Sequence, residues 1–278
     1  MLPTPSSPWP SRMRWALYAG MALLALLAVL CPPVAQPPGY HAFADQRAWG
    51  ALPHAMDVLS NLGFVAAALA GAWALARRGR GALPPAVRGL SGLFFAGLAC
   101  AGAASAWYHG APHDATLAWD RLAMAVAFAG LLGLAVQTRV DDRSAWAVAL
   151  AVLAAGPWTL YLWAASGNVL PWALLQGGGM LAVLALACVP PRAGALALHL
   201  GAVTACYALA KLLEWGDAAV FAATQGGVSG HSLKHLVAAC AALPVIDALR
   251  AGPPQGTIAA SSPRFPREAS TIRQGRAR

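Results

Sequence analysis

Charged side chains are scarce in this sequence: they make up 10% of its 278 residues, whereas 59% are hydrophobic. Soluble domains carry roughly 25% charged residues, and a mean hydropathy of +0.57 implies more apolar surface than one water-soluble core can bury. The composition therefore excludes a soluble globular protein and predicts a multi-pass membrane protein. Its apolar runs are longer than the roughly ten residues of a barrel strand, so we expect an all-α transmembrane helical bundle.

Lysine and cysteine are also rare. Lys211 and Lys234 are the only lysines, so the net charge of +9 comes almost entirely from arginine. The arginines lie in short loops and in the C-terminal tail, which is the positive-inside pattern of membrane proteins and argues against nucleic acid as a partner. The five cysteines lie in apolar runs without CxxC spacing, and we interpret them as small buried hydrophobic side chains.

Eight apolar runs are each long enough to cross about 30 Å of hydrocarbon. They cover about residues 15–31, 57–76, 90–108, 117–136, 145–165, 170–189, 195–213 and 230–249. The first run is either a cleaved signal peptide or an uncleaved anchor. We therefore divide the chain into a signal or anchor segment (1–35), a seven-helix membrane domain (36–250) and a disordered basic tail (251–278).

The arginines predict the orientation of the chain. With the N-terminus inside, the basic residues of the inner loops are Arg77, Arg78, Arg80, Arg88, Arg139, Arg143, Arg192 and Arg250. The outer segments hold only Arg47 and Arg121. This bias predicts a cytoplasmic C-terminus, and the abundance of Ala and Gly suggests a bacterial cytoplasmic membrane.

Two polar stretches interrupt the apolar runs on the predicted outer side, at residues 105–124 (SAWYHGAPHDATLAWDRLAM) and 229–235 (SGHSLKH). Ionisable residues at membrane depth are costly and usually functional. His231 and His235 are spaced i, i+4 and can bind one metal ion from a single helix face. With His109 they would form a three-nitrogen zinc site that keeps a position for water. The alternative is a pair of interfacial histidines at a helix end.

Two more residues of these stretches suit hydrolysis. Asp120 could accept a proton from a zinc-activated water, and Ser105, one turn before His109, could donate a hydrogen bond to a developing oxyanion. Asp57, Ser60 and Asn61 share one helix face on the same side. We expect them either to make interhelical hydrogen bonds or to support the metal ligands.

These motifs resemble, in order, those of the alkaline ceramidase family, within a wider group of seven-helix membrane hydrolases that includes adiponectin-receptor-like proteins. The matching segments are DVLSN (57–61), SxxxH (105–109), DRLAM (120–124) and HxxxH (231–235), and the similarity spans roughly residues 40–250. It implies that His109, His231 and His235 bind zinc and that Asp120 and Ser105 take part in catalysis. The implied reaction is hydrolysis of the amide bond of ceramide, a membrane lipid.

The sequence departs from the family pattern at two places. Ala123 stands where the family has proline, and His54 stands where calcium-binding members have glutamate. Only Asp45 and Asp57 are acidic in that region, so we do not predict calcium.

Three functional hypotheses are compatible with these residues. The first is a zinc-dependent amidohydrolase acting on ceramide or a related N-acyl lipid. The second is a lipid receptor or signalling protein that keeps the zinc site without turnover. The third, a transporter or proton relay, is disfavoured because no internal repeat or pair of broken helices is evident. The sequence does not specify protein partners.

Overall fold

The computed structural model describes residues 9–79 and 81–252, and these residues form helices and loops without a strand. The helices are α1 (Trp9–Leu30), α2 (Ala55–Ser60), α3 (Leu62–Arg77), α4 (Pro85–Gly110), α5 (Asp114–Arg139), α6 (Asp142–Ser166), α7 (Leu170–Ala187), α8 (Leu200–Trp215), α9 (Asp217–Ala223), α10 (Gly230–Cys240) and α11 (Leu243–Ala251). The predicted all-α bundle is confirmed. The predicted tail and the first eight residues lie outside the part that the structure describes.

Seven helical segments of the described chain are long and apolar enough to cross a membrane, and they correspond to predicted spans one to six and span eight. The chain is therefore an integral membrane protein. The predicted seventh span differs, because it is helical only over Leu200–Trp215. Sixteen residues rise about 24 Å, less than the roughly 30 Å of a hydrocarbon core.

The residues before α8 are held by a buried arginine instead of by a helix. Arg139, at the end of α5, donates from Nη2 to the carbonyl of Leu198 at 3.0 Å and from Nε to that of Leu186 at 3.3 Å. Buried carbonyls outside a helix need such partners. A sequence pattern does not show that Arg139 supplies them, so the apolar run 195–213 predicts a helix that starts five residues too early.

Two of the spans are interrupted, which corrects the expectation that no pair of broken helices is present, although the backbone at both interruptions stays in the α-helical region. Asn61 separates α2 from α3, and its side-chain amide nitrogen, Nδ2, donates to the backbone carbonyl of Asp57 at 2.8 Å. Pro244 lies in the first turn of α11. Because proline has no N–H, it cannot bond to the carbonyl of Cys240 four residues earlier, and the helix is interrupted at residues 241 and 242.

Helix α5 occupies the centre of the bundle, between α4 and α6. The close approach of α4 and α5 depends on two glycines. A Cβ at Gly97 would lie 2.2 Å from the backbone nitrogen of Ala127, and one at Gly130 would lie 2.3 Å from that of Phe94. The packed centre fixes the heights of Ser105 on α4 and Asp120 on α5.

The segment between α1 and α2, which we call the outer segment (residues 31–54), crosses the end of the bundle where the two polar stretches lie. It is tied to the α6–α7 turn, where the amide of Val169 donates to the carbonyl of Val34 at 2.8 Å. Helix α1 packs against α7, and Arg14 near its start forms a salt bridge with Asp141 at 3.0 Å. The outer segment can therefore bring residues from beyond α1 onto the site.

Candidate metal centre

Three buried histidines from two helices meet at one end of the bundle. His109 lies in the last turn of α4, and His231 and His235 lie one turn apart at the start of α10. One nitrogen from each ring lies within 4.8 Å of the others, and the Nε2 atoms of His109 and His231 are 3.2 Å apart. The three side chains are 1%, 7% and 2% exposed. The structure thus joins the two polar stretches that the sequence separates by more than a hundred residues.

The start of α10 is fixed by its neighbours. The Ser229 side chain caps the helix by accepting from the amide of Ser232 at 2.9 Å, as serine commonly does at an N-cap. Asp217 accepts from the amide of His231 at 2.8 Å. A Cβ at Gly230 would lie 2.3 Å from the carbonyl oxygen of Leu213, so only glycine allows α10 to begin against the end of α8.

Polar side chains of α2 contact the histidines from behind. Ser60 Oγ lies 2.7 Å from His235 Nδ1 and 3.0 Å from the carbonyl oxygen of Asp57. The Asp57 carboxylate accepts from Ser232 at 2.6 Å and from Ser229 at 3.1 Å. Ser60 therefore touches a candidate ligand directly, whereas Asp57 holds the first turn of α10 in place. Asn61 bonds back to α2 and does not reach the histidines.

The outer segment covers the histidines with Phe43, a residue that the sequence pattern did not single out. The centroid of its ring lies 4.5 Å from that of His109 and 4.7 Å from that of His231. His54 Nδ1 lies 3.0 Å from the carbonyl oxygen of His109. The segment is fastened to the bundle by the Ala44 amide, which donates to Asp217 at 2.9 Å, and by Arg47 Nη2, which donates to the carbonyl of Gly227 at 3.1 Å. Arg47 Nη2 also donates to the buried Asp45 carboxylate at 2.6 Å, and this hydrogen-bonded guanidinium lowers the pKa of Asp45. Phe43 thus covers the histidines at this end of the bundle.

An apolar cleft leads from the histidines into the bundle. Its polar end holds Ser105, Asp120 and His235, and Ser105 faces the Asp120 carboxylate. Three helices line it over the same depth, with wall residues at 94 and 105 on α4, 120 and 131 on α5, and 203 and 214 on α8. Eleven residues of helix rise about 16 Å. The cleft is therefore long and mostly apolar, with Gln176 and Tyr207 as further polar residues in its wall.

Lys234 also enters this site. Its Nζ lies 2.8 Å from His231 Nε2 and 3.1 Å from Glu214 Oε1. Glu214 is also paired with Lys211, three residues before it on α8. The sequence pattern gave no role to Lys234, although it directly precedes His235 in the HxxxH motif.

The donor set of this centre suits a metal ion. Three imidazoles converge with little exposure, and the contact of His235 Nδ1 with Ser60 leaves Nε2 of that ring free to bind. Zinc accepts three such nitrogens and a water in its catalytic sites. The group His109, His231 and His235 can therefore hold a metal ion, and zinc fits the nitrogen donors.

The other histidines in the described part of the chain lie outside this group. His113 caps α5, where Nδ1 accepts from the amide of Thr116 at 3.4 Å. His199 precedes α8. His41 lies between the Tyr108 hydroxyl at 2.9 Å and Asp114 at 3.0 Å in the outer segment.

No protein-family model, curated protein or solved structure matches this chain. What can be said of its function therefore depends on its own residues.

Proposed function

We propose that this protein is a zinc-dependent membrane amidohydrolase that cleaves the N-acyl amide bond of ceramide or a related lipid. The observation that carries the proposal is the position of the three histidines beside Ser105 and Asp120, at the polar end of a long apolar cleft. A fatty acyl chain fits such a cleft, and its amide bond would then lie next to the histidines. The order of the motifs, which resembles that of alkaline ceramidases, supports the same reaction.

A zinc ion bound by the three histidines would supply a Lewis acid and lower the pKa of water. Asp120 takes the proton from the attacking water as oxygen bonds to the amide carbon. Ser105 donates a hydrogen bond to the carbonyl oxygen as it gains charge. Asp120 then returns the proton to the amide nitrogen as the carbon–nitrogen bond breaks, which releases a fatty acid and an amine.

The cover formed by Phe43 supports entry of the substrate along the apolar cleft rather than from the aqueous side. The distribution of arginines supports a site facing the outer side of a bacterial cytoplasmic membrane. Arg78 bonds to the carbonyl of Leu249 at 2.5 Å and Arg139 to that of Leu198, both at the end of the bundle away from the histidines. By the positive-inside rule, we expect that end to be cytoplasmic.

The test is fatty-acid release from N-acyl lipids by the purified protein, together with its zinc content. We expect about one zinc per chain, loss of activity on chelation, and loss of zinc in His235→Ala. Asp120→Asn should keep zinc but lose at least about a hundredfold in rate, because general acid–base catalysis contributes about 10²–10⁴-fold. Asp247→Asn, at an exposed position near the other end of the bundle, is the matched control.

Two outcomes would contradict the proposal. A folded wild-type protein that binds no zinc would exclude the mechanism. A protein that binds zinc and lipid but releases no fatty acid from any N-acyl lipid would instead be a receptor on this scaffold.

A further inference from the structure

The only two lysines of the chain contact the same carboxylate. Lys211 and Glu214 lie on α8 and Lys234 on α10, so the pairing joins residues from two helices. Two ammonium groups share one carboxylate, which leaves this group of three with a net charge of +1. Asp120 lines the same cleft, but the carboxylate that both lysines contact directly is that of Glu214. Charges at membrane depth are costly unless they have partners.

All three residues line the polar end of the cleft. The side chain of Lys234 is 17% exposed, whereas that of Lys211 is 48% exposed. Lys234 lies beside the histidines, with Nζ 2.8 Å from His231 Nε2, and Lys211 lies farther out. The two ammonium groups therefore lie one after the other between the candidate reaction centre and the protein surface.

Lys234 would lose an acceptor when a metal ion binds. A neutral imidazole nitrogen has one lone pair, so His231 Nε2 cannot serve both a metal ion and the lysine. Lys234 would then share only Glu214 with Lys211, although each ammonium has three N–H donors. Some N–H donors of the two ammonium groups therefore lack an acceptor and face the cleft, where the acidic oxygens of a ligand would accept from them.

We propose that the lipid substrate carries an acidic group, a carboxylate or a phosphate, one or two carbons from its amide nitrogen, and that Lys211 and Lys234 bind it. This inference rests on the proposed amidohydrolase function and narrows its substrate class. The amide carbonyl meets the histidines and Ser105, and the acidic group meets the two lysines beside them. A neutral head group would leave the two ammonium groups to share the Glu214 carboxylate as their directly contacting counter-charge.

The test compares lipids that differ only in charge. The zinc-loaded full-length protein is titrated with non-cleavable hexadecanesulfonyl amides of glycine, of ethanolamine and of phosphoethanolamine. A charge-assisted hydrogen bond at a buried site corresponds to roughly tenfold in affinity. We therefore expect the glycine or the phosphoethanolamine analogue to bind about tenfold more tightly than the neutral ethanolamine analogue. Whichever of these two acidic analogues binds more tightly shows whether the acidic group of the substrate is a carboxylate or a phosphate.

Variants then show whether the lysines cause the preference. Lys211→Gln should remove most of the preference by weakening the acidic analogue alone, and Lys211→Arg should keep it. Lys234→Gln should also reduce the preference for the acidic analogue. If Lys234→Gln does not fold, the result for Lys211→Gln alone tests the inference. Equal affinity of wild type for all three analogues, no binding of any, or a preference that survives both Gln substitutions would overturn the inference.

Fatty-acid release separates this inference from the proposed function. Hydrolysis of N-palmitoylethanolamine and ceramide at least as fast as of N-palmitoylglycine, without a binding preference for acid, would retain the amidohydrolase and exclude the acidic substrate. A charge-dependent binding preference without any hydrolysis would retain the acidic ligand and exclude the amidohydrolase.

Discussion

Ser60 offers a direct test of how the candidate metal centre is held. Its hydroxyl lies 2.7 Å from His235 Nδ1 and 3.0 Å from the Asp57 carbonyl oxygen. The carbonyl can only accept, and we infer that the single hydroxyl hydrogen of Ser60 points to it. His235 must then carry its proton on Nδ1 and donate it to Ser60, which leaves the Nε2 lone pair free for a metal ion.

Ser60→Ala removes this acceptor and leaves a buried N–H without a partner, since His235 is 2% exposed. Loss of such a supporting contact typically weakens metal affinity about 10–100-fold, which corresponds to about 1.4–2.8 kcal/mol. We expect the zinc dissociation constant to rise by that factor while the bundle stays folded. The measurement is competition with a chromogenic zinc chelator in detergent.

Ser91→Ala is the matched control. Ser91 is fully buried on α4 and its hydroxyl has no hydrogen-bond partner among the residues that the structure describes, so this variant loses a hydroxyl of the same size without touching a histidine. We expect its zinc affinity to equal that of wild type. Equal affinities of Ser60→Ala and wild type would refute the assignment of the His235 proton and of Ser60 as its acceptor.

Two further predictions concern stability. Gly97→Ala should destabilise the bundle by about 3 kcal/mol, because the new Cβ would lie 2.2 Å from the backbone of α5. Gly92→Ala on the same helix is the control: its Cβ would meet nothing within 4 Å, so we expect no loss of stability. Both variants are measured by denaturant unfolding in detergent. Asp45→Asn should lower the unfolding free energy by about 2 kcal/mol near pH 7 by removing charge-assisted hydrogen bonds. The pKa of Asp45 is lowered in the folded protein. The difference in unfolding free energy between wild type and Asp45→Asn should therefore have its full size above the ordinary carboxyl pKa of about 4, and it should disappear as the pH falls through the lowered pKa. A difference that grows at acidic pH would contradict this assignment.

Helix breaks and helix ends were the least predictable parts of the fold. The interruption at Asn61 follows from a side chain that bonds back to the Asp57 carbonyl, and polar residues in an apolar run do not reveal which partner they choose. The shortening of α8 depends on Arg139, which lies some sixty residues earlier and supplies the hydrogen bond that an extended backbone needs. Local patterns carry no information on such distant partners.

The residues of the candidate centre also fall into two groups, those that the sequence predicted and those that only the structure identified. The spacing of His231 and His235 places them on one helix face, and the positions of His109 and Asp120 at helix ends on the same predicted side suggested one site. Phe43 and Lys234 were not predicted. A phenylalanine in a loop and a lysine on a helix have ordinary roles in most proteins, and only their contacts with His109 and His231 distinguish them here.

The sequence by itself determined that this chain is a membrane bundle, because apolar helices of this length satisfy their own backbone hydrogen bonds and need no partner to be recognised. It also determined which residue types could form a metal centre, because helical periodicity fixes which neighbours share a face. The tertiary structure decided what surrounds that centre: the phenylalanine that covers it, the serine that orients one histidine, the two lysines that share a carboxylate and the cleft that leads to it. These features depend on contacts between residues far apart in the chain, and packing alone brings those residues together.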